Sequence, residues 1–238
     1  MPERRWTFHL ITDRVRTAAP GGPGNQGGGE DALVEAVAAA LAGGVDWVQV
    51  RDKGAAADEL LRTVQAVQAV AGPLGKGVLV NDRLDVALAA GAAGVHLARK
   101  SLPPHLARRV AGDGLLVGAS VHSVEQAIAA AEAGVDYVTF GHVFPTRSKP
   151  GLPPRGPEAL REVVEAVDIP VLAIGGITAD RVPLVLATGC AGIAVIGAVL
   201  SEADPHRAAQ RLRDALDSTP GRPRHPFPPA PSSQHRRP

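Results

Sequence analysis

The chain has 238 residues, 45% hydrophobic and 21% charged, with no run near the ~18 uninterrupted apolar residues of a bilayer span, so one sizeable soluble core is expected and no membrane partner. Four of its 25 basic residues, Arg222, Arg224, Arg236 and Arg237, fall in residues 219–238, which hold none of the 24 acids; the remainder stands at −3, and with 3% aromatic residues this argues against a nucleic-acid partner. A single cysteine, Cys190, excludes an internal disulfide framework and a cysteine-based zinc site.

The N-terminus, Met1-Pro2-Glu3-Arg4-Arg5, lacks the apolar segment of a secretory signal, so the expected compartment is the cytoplasm. The first β-branched run is 8–12. Residues 18–30 follow it with six glycines and two prolines, and a mobile surface loop is expected there. Further short runs at 47–51, 77–80, 94–97, 115–120, 137–140, 170–174 and 192–196 read as strands buried on both faces. Alanine- and leucine-rich stretches at about 31–43, 56–71, 83–91, 103–111, 123–134, 156–167, 179–188 and 204–216 read as helices. Gly44, Gly134 and Gly189 mark helix ends, and Ser123 with Gln126 resembles a capping box.

Residues 218–238 hold seven of the 21 prolines and read as a disordered tail, leaving 1–217 as one domain. Eight strand–helix pairs in about 205 residues match a single α/β domain, the (β/α)8 TIM barrel. A doubly wound open sheet would more often have five or six units and a Gly-x-Gly-x-x-Gly turn after the first strand, which is absent. In a barrel, chemistry sits where strands end.

Strand two ends with Gln49, Arg51 and Lys53 alternating onto one side, an amide and two cations suited to an anion or a polar heterocycle. Strand three ends with Asn81-Asp82, which suits a helix cap as well as a ligand-facing amide and acid. In strand four His96 fits either a core or a site, and Arg99 and Lys100 follow it; residues 95–112 contain no carboxylate. Strand five ends with Ser120 and then His122, whose ordinary pKa of about 6.5 suits proton transfer near neutrality. The loop after strand six carries Thr146, Arg147, Ser148 and Lys149, hydroxyls and cations fit to contact phosphate. Strands seven and eight end in Gly175-Gly176 and Ile196-Gly197, where bare backbone can approach a phosphate, a recurring barrel feature.

Six ordered motifs, Val-Gln-Val-Arg-Asp-Lys, Val-Asn-Asp-Arg-Leu-Asp-Val-Ala, Gly-Val-His-Leu, Ser-Val-His-Ser, Phe-Gly-His-Val-Phe-Pro-Thr and Ala-Ile-Gly-Gly-Ile-Thr, span roughly residues 7–216. In these the chain resembles the thiamine phosphate synthase/TenI superfamily. The resemblance implies a (β/α)8 barrel in thiamine biosynthesis, of one of two kinds. One joins hydroxymethylpyrimidine pyrophosphate to thiazole phosphate, releasing pyrophosphate with Mg²⁺; the other is a metal-independent thiazole tautomerase that aromatises a thiazole carboxylate phosphate. For the synthase it implies Gln49, Arg51, Lys53 and Asn81 on the pyrimidine diphosphate and Asp82 on Mg²⁺. It also implies Ser120, Thr146, Ser148 and Lys149 as substrate contacts, and Gly176, Ile196 and Gly197 on the thiazole phosphate.

One departure bears on the choice: Ser101 stands where synthases usually carry a second Mg²⁺-binding aspartate. With Arg-Lys-Ser-Leu-Pro, Ser-Val-His-Ser and Ser-Lys-Pro-Gly, the chain looks closer to the tautomerase branch. The expectation is therefore a tautomerase with His122 as proton carrier, a phosphorylated thiazole held on Gly175, Gly176 and Gly197, and no metal or other cofactor. The alternatives are the Mg²⁺-dependent synthase and a barrel that binds a thiamine intermediate without turnover, acting as a regulator. Small barrels of this type often form homodimers, which the resemblance also allows.

Overall fold

The computed structural model describes residues 6–13, 29–98 and 100–230. Eight parallel strands close on themselves in chain order, β1 pairing with both β2 and β8. They are β1 (Thr7–Ile11), β2 (Trp47–Val50), β3 (Gly77–Asn81), β4 (Gly94–Leu97), β5 (Leu116–Val121), β6 (Tyr137–Gly141), β7 (Val171–Ile174) and β8 (Gly192–Val195). Helices α1 (Gly29–Ala42), α2 (Ala57–Ala71), α3 (Leu84–Ala89), α4 (Pro104–Ala111), α5 (Val124–Glu132), α6 (Gly156–Ala166), α7 (Val182–Leu186), α8 (Gly197–Leu200) and α9 (Pro205–Ser218) link and cover them. The expected (β/α)8 TIM barrel is the fold observed.

Strand alternation divides the interior in two. One side of each strand, including Phe8, Leu10, Val48, Val50, Val78, Val80, Val95, Val117, Val138, Val171 and Ile193, packs outward against helix residues such as Val37, Val64, Val163 and Leu212. The other side points down the barrel axis. At the N-terminal ends of the strands that side forms a separate apolar cluster of Trp47, Leu79, Ala93, Tyr137, Leu172 and Ala191, the floor of the barrel. A buried cation ties α9 to this end: Arg213 donates to the Trp6 carbonyl and to the Asp46 carboxylate at 3.1–3.2 Å.

The tail departs from expectation. Ser218 is still helical, and residues 219–230 run back along the floor, where the Arg224 amide donates to Gly189 O (2.9 Å) and the Trp6 indole to Thr219 O (3.4 Å). Phe227 packs its ring among His9, Trp47 and Tyr137. Proline-rich composition correctly stops the helix, but it does not reveal that one aromatic ring has an apolar cup to enter. Residues 231–238 lie outside the described residues, as do 18–28 of the glycine-rich segment; Gly29 and Glu30 open α1. Among the described residues no helix is long and apolar enough to cross a membrane.

Candidate active site

At the C-terminal ends of the strands the barrel opens into one cavity of ≈ 1080 Å³. It brings together the residues expected on substrate, phosphate or metal, Gln49, Arg51, Lys53, Asn81, Asp82, Ser120, His122, Thr146, Ser148, Lys149, Gly175, Gly176, Ile196 and Gly197, whereas Arg99 lies outside the described residues. The barrel explains how, because each strand delivers its last inward-facing residues to the same rim.

Gln49 and Asn81 are buried in the wall, and the Gln49 amide donates to Asn81 Oδ1 at 2.9 Å. Asn81 Nδ2 in turn donates to Asp82 Oδ2 at 2.7 Å. Asp82 is not the cap of α3. It adopts φ +62°, a conformation an aspartate tolerates better than most residues, and its Oδ1 accepts the Ala98 amide (2.9 Å) and the Ser101 hydroxyl. The serine that stands where a second aspartate was looked for thus holds the Asp82 carboxylate. Arg51 lies 3.8 Å from Asp13.

His122 stands between the main cavity and a side cavity of ≈ 380 Å³. Its Nδ1 donates to Gly141 O at 2.7 Å, so a neutral ring keeps its lone pair on Nε2. Partial burial, with Arg155, Lys149 and His142 nearby, holds its pKa below the ordinary histidine value, although the Gly141 carbonyl opposes the shift. The predicted cap of α5 is present, Ser123 Oγ accepting the Gln126 amide (3.3 Å), but the Gln126 side chain reaches the His122 amide (2.9 Å) and so steadies that histidine's backbone.

The twin-glycine turn has a steric cause. Gly175 and Gly176 have φ +101° and +65°, and a Cβ on them would lie 2.4 Å from His142 Cβ and from Pro145 O respectively. The loop after β6 is thus laid directly over the turn after β7, which brings Thr146 and Lys149 to the same rim. Two contributors went unread in the sequence. Arg181, just after the turn, donates to Gly176 O at 2.7 Å and lies 4.8 Å over the Phe144 ring. Thr139 lines the cavity from inside β6, and only its strand phase could have signalled that.

A family model described as thiamine monophosphate synthase (TMP-TENI) matches residues 23–199. The chain is 48% identical to a thiamine-phosphate synthase of Methanoculleus marisnigri over 178 residues, 74% of this chain and 84% of that one. It is 40% identical to the thiamine-phosphate synthase of Roseiflexus castenholzii over 214 residues, 90% and 89% of the two chains. A solved thiamine phosphate pyrophosphorylase from Pyrococcus furiosus superimposes with a TM-score of 0.79 at 37% identity, covering 92% of this chain and 98% of that one. These names overturn the tautomerase expectation and favour its synthase alternative: the relatives reported above are named thiamine-phosphate synthase or thiamine phosphate pyrophosphorylase. Ser101, one of the departures behind that expectation, is a hydrogen-bond partner of Asp82.

Proposed function

Since the chain belongs to the thiamine monophosphate synthase family, we propose that it joins hydroxymethylpyrimidine pyrophosphate to thiazole phosphate in a Mg²⁺-dependent transfer that releases pyrophosphate. The observation that carries this reading is the single cavity in which Asp82 and a set of cations that includes Arg51, Lys53, Lys100, Arg147 and Lys149 share a rim with the twin-glycine turn. Such a rim suits two phosphorylated substrates bound side by side.

In the reaction the thiazole nitrogen attacks the methylene carbon of the pyrimidine, and the carbon–oxygen bond breaks with its electrons going to pyrophosphate. Forming the carbon–nitrogen bond itself moves no proton; near neutrality the released pyrophosphate, more basic than the ester it leaves, takes one up from water. The protein's work is then to place two reactants and to stabilise a departing anion. Gln49 gives one of its two N–H groups to Asn81, and its carbonyl oxygen is free to accept from the pyrimidine amino group. Arg51, Lys53 and Asn81 take the diphosphate, and Thr146, Ser148 and Lys149 close on it from the loop after β6. Gly175, Gly176, Ile196 and Gly197 hold the thiazole phosphate through backbone N–H groups.

The residues present fit Mg²⁺, which is usually held by one or two carboxylates together with substrate phosphates and water. Of the roughly four lone-pair positions on a carboxylate, Asp82 uses three, for Ala98, Ser101 and Asn81, leaving Oδ2 open to one ligand. When bound there, the ion would neutralise charge on the leaving pyrophosphate. With serine in place of a second carboxylate, Lys100 and Lys149 take a larger share of that neutralisation.

The test is direct. Purified protein given both substrates and Mg²⁺ is expected to form thiamine phosphate and pyrophosphate in equal amounts, and a chelator is expected to stop it. Absence of both products, with thiazole phosphate still binding, would overturn the assignment.

A further inference from the structure

The floor and the mouth of the barrel are joined by one line of hydrogen bonds. Tyr137 opens β6, and its ring lies across the axis over Gly118, where a Cβ would come within 2.1 Å of the ring carbon Cζ. The Tyr137 hydroxyl is 3.0 Å from His96 Nδ1. On the far side of the imidazole, Nε2 is 2.9 Å from Ser120 Oγ and 3.3 Å from Thr139 Oγ1. Tyr137 and His96 are buried, and His96 and Ser120 both line the large cavity, Tyr137 lying beneath it.

Proton bookkeeping gives this line a direction. Among the described residues the Tyr137 hydroxyl has no acceptor besides His96, so it donates to Nδ1. A ring that accepts at Nδ1 is the neutral form, the form that a buried site favours. A neutral ring that accepts at Nδ1 carries its proton on Nε2 and donates it to Ser120 Oγ. Ser120 also receives the Thr139 hydroxyl at 3.4 Å, so its own proton is left to point into the cavity. In the other tautomer Nε2 would take the Ser120 proton, and the substrate would meet a lone pair.

Beneath Tyr137 sits the C-terminal segment. The Phe227 ring meets Tyr137 edge-on at 4.9 Å, Trp47 at 5.3 Å and His9 at 4.5 Å. This segment lies beyond residue 199, where the family match ends.

We infer that Phe227 and Tyr137 are positioning residues: Phe227 seats the Tyr137 ring from below, Tyr137 fixes the His96 proton on Nε2, and His96 thereby presents Ser120 to substrate as a hydrogen-bond donor. The consequence for turnover rests on the synthase reading, because it needs Ser120 to touch the pyrimidine substrate.

Two measurements on the full-length chain keep the failures apart. Histidine ¹⁵N NMR reads the tautomer without any activity: His96 is expected protonated at Nε2, with that signature lost in Tyr137→Phe, weakened in Phe227→Ala and kept in Phe227→Leu, which refills the cup. A His96 protonated at Nδ1 in the unaltered chain, or a tautomer indifferent to Tyr137→Phe, overturns the inference. In turnover, Tyr137→Phe is expected to lower kcat/KM for the pyrimidine pyrophosphate about tenfold and to leave KM for thiazole phosphate unchanged. It should add nothing to Ser120→Ala, and full additivity between the two overturns the coupling. If the unaltered chain forms no thiamine phosphate, the proposed function fails, and the NMR result alone decides whether the relay exists.

Discussion

The mouth and the floor of this barrel are built by the same strands two residues apart. Trp47 lies below Gln49, Leu79 below Asn81, Gly118 below Ser120 and Tyr137 below Thr139, each pair on the same inward phase. One step of about 6.6 Å along a strand thus separates a dry aromatic layer from a polar, glycine-rimmed cavity. The histidines register the contrast. His9, in the floor between Trp47 and Phe227, is buried with Nε2 lacking any partner among the described residues, and its pKa falls to about 3. His122, at the mouth, is half-buried and shifted in the same direction by milder desolvation and neighbouring cations. A group in the floor is frozen in one protonation state; a group at the mouth still titrates and can meet a ligand.

The largest effect expected from this contrast is on acid stability. His9 and His96 have folded-state pKa values of about 3 and about 4, below the unfolded 6.5, so the unfolded chain binds more protons as pH falls. Their contribution is intact above pH 6.5 and is lost toward pH 4, each histidine costing about 1.4 kcal/mol per pH unit. Denaturant unfolding across that range should show the slope, and His9→Leu should flatten it; an unchanged slope would mean that water reaches the floor.

At the mouth, Asp82→Asn keeps the tolerated positive φ and removes the charge. Thiamine phosphate formation is expected to fall about 100-fold or more while the melting temperature moves little. A loss of stability matching the loss of turnover would make Asp82 a structural residue instead. The smallest effect is expected at His122. Joining the two rings needs no proton shift, so His122→Ala should stay within about tenfold of the unaltered rate. A larger fall, measured at saturating substrate, would return His122 to the chemistry.

Much of this was legible in the chain. Val-rich runs alternating with Ala- and Leu-rich stretches gave the barrel, and strand phase put Gln49, Arg51 and Lys53 on one side, where Asn81 and Ser120 join them on the cavity wall. The dipeptide Asn81-Asp82 left capping and ligand binding both open, because local propensity is the same for each; only the fold shows that Arg83 caps α3 and that Asp82 turns to Ser101, 19 residues away. The role of Ser101 was hidden for the same reason. A missing carboxylate looks like a lost metal site in a linear comparison, whereas in the folded chain the hydroxyl holds the carboxylate that remains.

The sequence by itself determined the eightfold repeat and the identity of the groups at the mouth, because burial of alternating residues is a local, periodic demand. Only the tertiary structure decided where Phe227 goes, which nitrogen of His96 bears the proton, and why the loop after β6 must cross a glycine turn. Those depend on contacts between segments far apart in the chain, such as Phe227 with His9 and Tyr137 with His96, which no periodicity encodes.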